Sequence, residues 1–260
     1  MTTGINAMCA LTVIPVRASH DDTSEIVTQL LFGEAVTIIG IHNQWIKLRI
    51  QHDDYEGWVD NKQLLKLSEE TFHNLKKIKS RQTEALLELN TPWGKQNILQ
   101  GSLNISTENS FKIEEKKFSW INTPPSAEIK RFSAQNILEI AHSYSNAPYL
   151  WGGRTAFGID CSGFTQTVFH QLNFSLPRDA SQQYLIGSKV AFDEQKPGDL
   201  AFFVSEKTGN IHHVGIVLPN QEIIHAHGRV RIDQLTEEGI YNENKEYYSH
   251  KLISINQYDI

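Results

Sequence analysis

The chain has 260 residues, of which 40% are hydrophobic, so it is long enough for one large globular domain or for two or three small ones. Its formal net charge is −6, and acidic and basic residues are mixed along the chain. This composition argues against nucleic acid as the main partner, because phosphate binding favours a strongly basic face.

The N-terminal residues and the cysteines indicate the compartment. Residues 1–10 lack a basic stretch followed by a long apolar run, and no stretch is long enough to span a bilayer. We therefore expect neither a secretory signal nor a membrane partner. The two cysteines, Cys9 and Cys161, suit a reducing compartment, so we expect a cytoplasmic location.

The first part of the chain, residues 1–68, predicts a small β-barrel. Short apolar stretches recur at the spacing of barrel strands, with polar turns between them; they cover residues 11–16, 26–31, 35–41, 45–50 and 57–59. Gly33-Glu34 is one predicted turn. The order of this turn, then Trp45, then Gly57-Trp58-Val59 resembles bacterial SH3 domains over about 55 residues.

Residues 69–127 are less regular in pattern. Residues 72–80 fit either a helix or an extended linker, and strands are predicted at 85–89, 98–105, 111–113 and 118–121. We interpret this part as a second, diverged SH3-like domain. Two prolines in Thr123-Pro124-Pro125-Ser126 then mark a boundary, since proline interrupts both helices and central strands.

From residue 128 to 260 the pattern becomes α+β. Ser133 is a predicted cap for a helix that runs to about Ser145. A second helix is predicted to begin in Asp160-Cys161-Ser162-Gly163-Phe164, because apolar residues then recur at four-residue steps. A cysteine in the first turn of a helix lies near unpaired backbone N–H groups and the positive end of the dipole. Both favour the thiolate, which is the nucleophile.

Two histidines downstream favour a catalytic role for Cys161 over a structural one. His213 lies in a predicted strand at 211–218 and His225 in another at 222–227, with Pro219-Asn220 as the turn. In a hairpin centred near Pro219 the two histidines face each other directly on one side of the sheet. A nucleophile, a base and a group that orients the base is the arrangement that cysteine hydrolases need.

These residues resemble a known family. Residues 128–260 closely resemble the NlpC-type, papain-like cysteine peptidases, which cut γ-D-glutamyl–diamino-acid bonds in peptidoglycan peptides. Six pieces in family order carry the resemblance: Tyr149-x-Trp151-Gly152-Gly153, Asp160 to Phe164, Leu176-Pro177-Arg178, Pro197-Gly198-Asp199-Leu200, His213-Val214-Gly215-Ile216 and Ile224-His225-Ala226. The implied fold class is α+β, with a papain-like NlpC-type catalytic domain preceded by SH3-like β-barrel domains.

The resemblance implies a role for each catalytic residue. Cys161 attacks the carbonyl of the γ-glutamyl amide, and His213 takes the thiol proton and returns it to the leaving amine. His225 fixes the tautomer of His213. The backbone N–H of Cys161 and the hydroxyl of Tyr149 are the implied oxyanion donors. No metal or cofactor is needed.

The resemblance also implies substrate contacts, each with a structural alternative. It assigns the substrate's amino group to Asp160, which is otherwise only a helix cap, and the D-Glu moiety to Ser162 and Arg178. The alternatives are a first-turn residue without a ligand for Ser162 and an ion pair with a surface acid for Arg178. The family often has serine two places after this arginine, whereas this chain has Ala180 followed by Ser181, so the chain departs from the family pattern there.

The first barrel supplies two further expected contacts. In the enzymes that recycle free murein peptides, this barrel closes one end of the cleft. By that resemblance, Glu34 and Tyr55 are candidate contacts to the substrate's N-terminus. Turn acids and edge tyrosines are also common where no ligand binds.

The resemblance thus implies a γ-D-glutamyl-L-diamino-acid endopeptidase that acts on murein peptides with a free N-terminal L-Ala. A hydrolase of polymeric peptidoglycan and an inactive cell-wall-binding protein are the alternatives. The intact Cys161, His213 and His225 weigh against the inactive protein. The preferred diamino acid (Lys or meso-diaminopimelate) and the oligomeric state stay open.

Overall fold

A computed structural model of the chain describes residues 4–126, 128–242 and 246–258. The chain divides into two compact units, Met1–Ile129 and Lys130–Ile260, and the division lies next to the double proline. Among the described residues, no helix has the length and apolarity needed to cross a bilayer.

The first unit begins with a seven-stranded antiparallel sheet that corresponds to the predicted barrel. Its strands are β1 (Asn6–Cys9), β2 (Val13–Arg17), β3 (Ile26–Leu31), β4 (Ala35–His42), β5 (Trp45–Ile50), β6 (Glu56–Asp60) and β7 (Leu64–Leu67), in the order β3-β2-β6-β5-β4-β1-β7. Five of them are the predicted strands. The sequence analysis missed β1 and β7, which are four residues long and contain no β-branched residue.

The rest of the first unit is a helix and a four-stranded antiparallel sheet. Its elements are α1 (Glu69–Lys77), β8 (Leu86–Thr91), β9 (Gly94–Leu99), β10 (Ser110–Ile113) and β11 (Lys116–Trp120), with sheet order β10-β11-β8-β9. The side chain of Ser68 accepts a hydrogen bond from the Thr71 N–H, so the ambiguous region begins as a capped helix.

One strand of this region differs from its prediction. The strand predicted over 98–105 is wrong beyond Leu99, because Gly101 has φ +89° and the chain turns there. The assignment of a second SH3-like domain to residues 69–127 stays a prediction.

The second unit contains a seven-stranded antiparallel sheet with helices against it. Its elements are α2 (Ala134–Ser143), β12 (Arg154–Thr155), β13 (Gly158–Ile159), α3 (Cys161–Gln171), α4 (Ala180–Gln183), β14 (Ser188–Val190), β15 (Leu200–Val204), β16 (Ile211–Leu218), β17 (Glu222–His227), β18 (Arg229–Leu235), β19 (Gly239–Asn242) and β20 (Tyr247–Gln257). The sheet order is β14-β20-β15-β16-β17-β18-β19, and β19 also pairs with β20. Two-residue strands β12 and β13 form a separate ribbon before α3.

The core of the second unit lies on both faces of the sheet. Along β15, Leu200 and Phe202 belong to the cluster that also contains the buried residues of α2 and α3, whereas Ala201 and Phe203 belong to a cluster on the other face. This explains why β15 is a continuous apolar run rather than an alternating one. Every residue of α3 is buried, so the helix that begins with Cys161 is held rigidly.

We expect the core contact of α3 to dominate the stability of the second unit. Phe164 is fully buried and its ring packs edge-on against Tyr144, with 6.1 Å between ring centroids. Phe164→Ala should lower the free energy of unfolding by about 3–5 kcal/mol because it leaves a cavity. Urea denaturation measures this, with Phe157→Ala as the matched control, since the Phe157 side chain is 72% exposed. A loss below about 1 kcal/mol for Phe164→Ala contradicts the packing described.

Candidate active site

The turn before α3 places Cys161 as the first residue of the helix, as the sequence predicted. Asp160 is the N-cap, and its Oδ1 accepts a hydrogen bond of 2.6 Å from the Gly163 N–H. The backbone of the preceding loop packs closely against this turn, because a Cβ atom on Gly163 would lie 2.3 Å from the carbonyl oxygen of Gly153. Glycine at 163 is therefore required by space and not by backbone conformation.

The carboxylate of Asp160 is the centre of a buried hydrogen-bond network. Its Oδ1 also accepts from Arg178 Nη1 (3.1 Å) and from Ser162 Oγ (3.3 Å). Its Oδ2 accepts from Arg178 Nη2 (2.5 Å) and from the Gly152 N–H (2.8 Å). Asp160 and Arg178 thus form a two-pronged ion pair, and both are almost fully buried. The pair ties the loop at 152 to the start of α3.

This network brings three predicted substrate-binding residues together. Arg178 Nη1 also donates to Ser162 Oγ at 3.0 Å, so Asp160, Ser162 and Arg178 touch one another beside Cys161. The alternative that Arg178 pairs with a surface acid is wrong, because its partner is the buried Asp160. An ionised carboxylate offers about four acceptor positions, and Asp160 already accepts five hydrogen bonds. Substrate contacts by these three residues stay predictions.

Position 180, where the family often has serine, contains no buried hydroxyl in this protein. Ala180 is the first residue of α4 and is buried, whereas the neighbouring Ser181 is exposed. Asp179 caps this short helix in a capping box with Gln182.

The thiol of Cys161 is buried against strand β16. Sγ lies 4.0 Å from the carbonyl oxygen of His212, and backbone N–H groups of Val214 and Ser162 approach it. Burial, followed by the negative charge of Asp160, raises the pKa of Cys161 to about 12. The expectation that the helix start favours the thiolate is therefore wrong, because desolvation and the adjacent carboxylate outweigh the helix dipole.

The histidine hairpin is offset by two residues from the predicted one. The register pairs Ile216 with Ile224 and Leu218 with Glu222, so the turn is centred on Asn220 and not near Pro219. Asn220 adopts φ +62°, which asparagine tolerates better than most residues. His213 and His225 are therefore diagonal neighbours on one face rather than directly opposed.

The diagonal arrangement still joins the two imidazoles. His213 Nε2 and His225 Nδ1 are 2.8 Å apart, and the rings are nearly perpendicular. By the register, Gly215 is the residue opposite His225, and a Cβ atom there would lie 2.8 Å from His225 Cβ. The glycine therefore leaves room for His225 to extend along the sheet to His213.

The sequence analysis missed two residues on β18 that belong to this group. Asp233 Oδ2 is 2.9 Å from His225 Nε2, and Arg231 Nη2 donates to Asp233 Oδ1 at 2.5 Å. Both lie on β18, where Arg231 is paired directly with His225 in the ladder. The available signal was the two-residue spacing of Arg231 and Asp233, which places both on one face of a strand next to the hairpin.

His250 on β20 also contacts the histidines. Its ring stacks on His213, with 4.1 Å between centroids. Burial lowers the pKa values of His213, His225 and His250, that of His250 to about 3, and the neighbouring histidines lower them further. At neutral pH all three rings are uncharged.

Tyr149 lies near the thiol. Its backbone N–H donates to Gly228 O at 2.9 Å. Burial raises the pKa of its hydroxyl, and nearby Cys161 and Asp160 raise it further, so the hydroxyl stays a donor. Among the described residues, no hydrogen bond joins Cys161 Sγ to the His213 ring. Such catalytic contacts are often long before substrate binds.

The two candidate contacts from the first unit have partners within that unit. Glu34 is buried; its Oε2 accepts from the Leu31 N–H at 3.0 Å and its Oε1 pairs with Arg81 Nη1 at 3.1 Å. Tyr55 is half-buried and packs against the barrel core. Their predicted contacts with substrate stay predictions.

Comparison with known proteins identifies relatives of both units. The NlpC/P60 family matches residues 146–251, and the bacterial dipeptidyl-peptidase Sh3 domain matches residues 16–64. A γ-D-glutamyl-L-lysine dipeptidyl-peptidase from Bacillus subtilis is 30% identical over 217 residues, covering 77% of this chain and 72% of the relative. A protein of the same name from Bacillus cereus is 26% identical, covering 79% of this chain and 68% of the relative.

A solved structure matches the fold of nearly the whole chain. The crystal structure of an NlpC/P60 family protein from Bacillus cereus ATCC 10987 has a TM-score of 0.81 and 19% identity, and covers 97% of this chain and 99% of that one. Together with the family matches, it confirms the predicted fold class.

The uncharged histidines predict how stability depends on pH. The pKa of His250 is lower in the folded protein than the ordinary value of about 6.5, so the unfolded chain binds its proton first and stability falls as pH drops below about 6.5. Between pH 7.0 and 5.5 this one group accounts for a loss of about 1.3 kcal/mol.

Urea denaturation at both pH values tests this. His250→Phe should lose about 1.3 kcal/mol less stability on acidification than the unsubstituted protein, whereas the matched control His73→Phe, at an exposed position on α1, should behave like the unsubstituted protein. Equal pH dependence in His250→Phe contradicts the uncharged, buried state of His250.

Proposed function

Because the chain belongs to the NlpC/P60 family of peptidases, we propose that it is a cysteine peptidase that hydrolyses the γ-D-glutamyl–diamino-acid bond of murein peptides. The observation that carries this proposal is the juxtaposition at the start of α3. There the thiol of Cys161 lies against the backbone of the residues on either side of His213. The His213 ring is hydrogen-bonded to the His225 ring. A buried nucleophile, a base and an orienting group are thus in one place.

The charge state of the site favours general-base catalysis. Both the thiol and the His213 imidazole are uncharged at neutral pH. The proton therefore moves from Sγ to Nδ1 of His213, the ring nitrogen that does not face His225, as sulfur attacks the amide carbonyl. The carbonyl oxygen becomes an oxyanion. The N–H of Cys161, in the first turn of α3 where N–H groups have no intrahelical partner, and the Tyr149 hydroxyl stabilise it.

Collapse of this intermediate completes the reaction in two stages. The protonated His213 gives its proton to the leaving amine of the diamino acid, and a thioester forms on Cys161. Water then attacks the thioester, with His213 again accepting a proton, and the γ-glutamyl carboxylate is released.

The substrate is proposed from the relatives' names and from the first unit. The proteins from Bacillus subtilis and Bacillus cereus are named γ-D-glutamyl-L-lysine dipeptidyl-peptidases, and the first unit matches the Sh3 domain of such enzymes. We therefore infer that this chain releases L-Ala-γ-D-Glu from a free N-terminus, acting on murein peptides in cytoplasmic recycling. The proposed partner of the substrate's α-ammonium group is Asp160, in addition to its ion pair with Arg178.

Substitution of the catalytic residues tests the chemistry. Cys161→Ala and His213→Ala should each reduce kcat by several orders of magnitude in a folded protein. His225→Asn should cost less, because an amide oxygen still accepts from an imidazole N–H. Digestion of L-Ala-γ-D-Glu-meso-diaminopimelate, followed by mass spectrometry, measures the rates. More than a few per cent of activity in Cys161→Ala rules out this nucleophile.

Acylation of the substrate tests the free N-terminus. Acetylating the L-Ala amine removes its positive charge and with it a charge-assisted hydrogen bond, a loss that costs about 1–3 kcal/mol. We expect kcat/KM for the acetylated peptide to fall roughly ten- to a hundredfold. The comparison uses free peptide, acetyl peptide and intact peptidoglycan with one enzyme preparation. Similar values for all three contradict the dipeptidyl specificity and favour a hydrolase of polymeric peptidoglycan.

A further inference from the structure

The hydrogen bonds of His213 continue beyond His225 to a carboxylate. His213 Nε2 lies 2.8 Å from His225 Nδ1, and His225 Nε2 lies 2.9 Å from Asp233 Oδ2. We propose that Asp233 is a positioning residue that sets the tautomers of both histidines and thereby leaves the lone pair of His213 Nδ1 available to the Cys161 thiol. The proposal deepens the proposed function, because it concerns the base of that reaction.

The first step is that Asp233 acts only as an acceptor. Burial opposes ionisation of its carboxyl, but hydrogen bonds from His225 and Arg231 lower its pKa, so it is a carboxylate at neutral pH. Arg231 Nη2 occupies Oδ1 at 2.5 Å, which leaves Oδ2 for His225. A carboxylate cannot donate, so His225 Nε2 carries the hydrogen of that bond.

The second step follows from the neutrality of the rings. Burial lowers the pKa of His225, so its ring has one N–H and one lone pair. Since Nε2 carries the hydrogen, Nδ1 is an acceptor, and the partner nitrogen, His213 Nε2, must donate to it. His213 is neutral as well, so its Nδ1 bears a lone pair. One carboxylate thus determines the direction of two consecutive hydrogen bonds.

The third step concerns the replacement of the Asp233 carboxylate by an amide. In Asp233→Asn, Arg231 has only donors to offer and selects the amide oxygen. The amide NH₂ group then faces His225 Nε2, which becomes the acceptor. Both histidine bonds reverse, His213 Nδ1 carries a hydrogen, and the thiol loses its base. The substitution preserves size and shape, so the effect is on proton position.

Steady-state kinetics on L-Ala-γ-D-Glu-meso-diaminopimelate test the consequence. Asp233→Asn should reduce kcat on the order of 10²- to 10⁴-fold, the range of general acid–base contributions. KM should stay within about threefold, because Asp233 acts through His225. The matched control is Asp193→Asn, the same chemical change at an exposed position of the second unit, and it should retain full activity. A kcat for Asp233→Asn within threefold of the unsubstituted enzyme overturns the proposal.

A double-substitution cycle separates this role from a purely structural one. Once His225→Asn has removed the relay, Asp233→Asn should add less than a threefold further loss of kcat. A structural role would give the same loss in both backgrounds. Full additivity of the two losses therefore also overturns the proposal.

A spectroscopic measurement tests the tautomers directly and does not need the Asp233→Asn variant. ¹⁵N NMR at neutral pH should show His213 and His225 protonated at Nε2, with resonances assigned by their loss in His213→Ala and His225→Asn. Protonation of His225 at Nδ1 overturns the proposal. This result does not depend on substrate, so it stands even if the protein fails to cleave murein peptides.

Discussion

The buried ion pair between Asp160 and Arg178 is the interaction on which the site depends. Asp160 caps α3, binds the backbone of the preceding loop and is bridged by both terminal nitrogens of Arg178. Removing one member of a buried pair leaves an uncompensated charge at a cost of about 3–5 kcal/mol. Such a pair adds little net stability, but it defines one geometry for the turn that presents Cys161.

Burial then determines how the site uses its titratable groups. The thiol and the imidazoles are kept uncharged by desolvation, so each ring nitrogen of His213 and His225 has a single role, donor or acceptor. Charged side chains lie at the edge of this cluster of histidines, in the ion pair between Asp233 and Arg231. The arrangement resembles a catalytic triad with one more member, because His225 contacts His213 and is itself hydrogen-bonded to Asp233.

The sequence predicted the elements of this protein better than their registers. Apolar patterning located α3 and five barrel strands, because those residues lie on one buried face. It missed β1, a short strand without β-branched residues, and it misjudged the hairpin by two residues. That register depends on whether Pro219 or Asn220 is the centre of the turn, and the backbone conformation of Asn220 decides it.

The residues of the site could be predicted only where a local motif contains them. Cys161, His213 and His225 stand in recognisable local motifs, so each was found. Asp233 was missed because an aspartate on a strand is expected to face solvent unless its cross-strand neighbours are known. Likewise, the charge of Cys161 was misjudged because local sequence shows the helix dipole but not the depth of burial.

The position of β20 in the sheet has a consequence for biosynthesis. This strand, Tyr247–Gln257, lies between β14 and β15 and also pairs with β19. The sheet that supports both histidine strands therefore stays incomplete until the ribosome has released residue 257. Pairings between distant segments are also slow to form. In a nascent or truncated chain that lacks β20, strand β15 has only one of its two neighbouring strands, so the sheet that carries His213 and His225 is complete only after residue 257 has been translated.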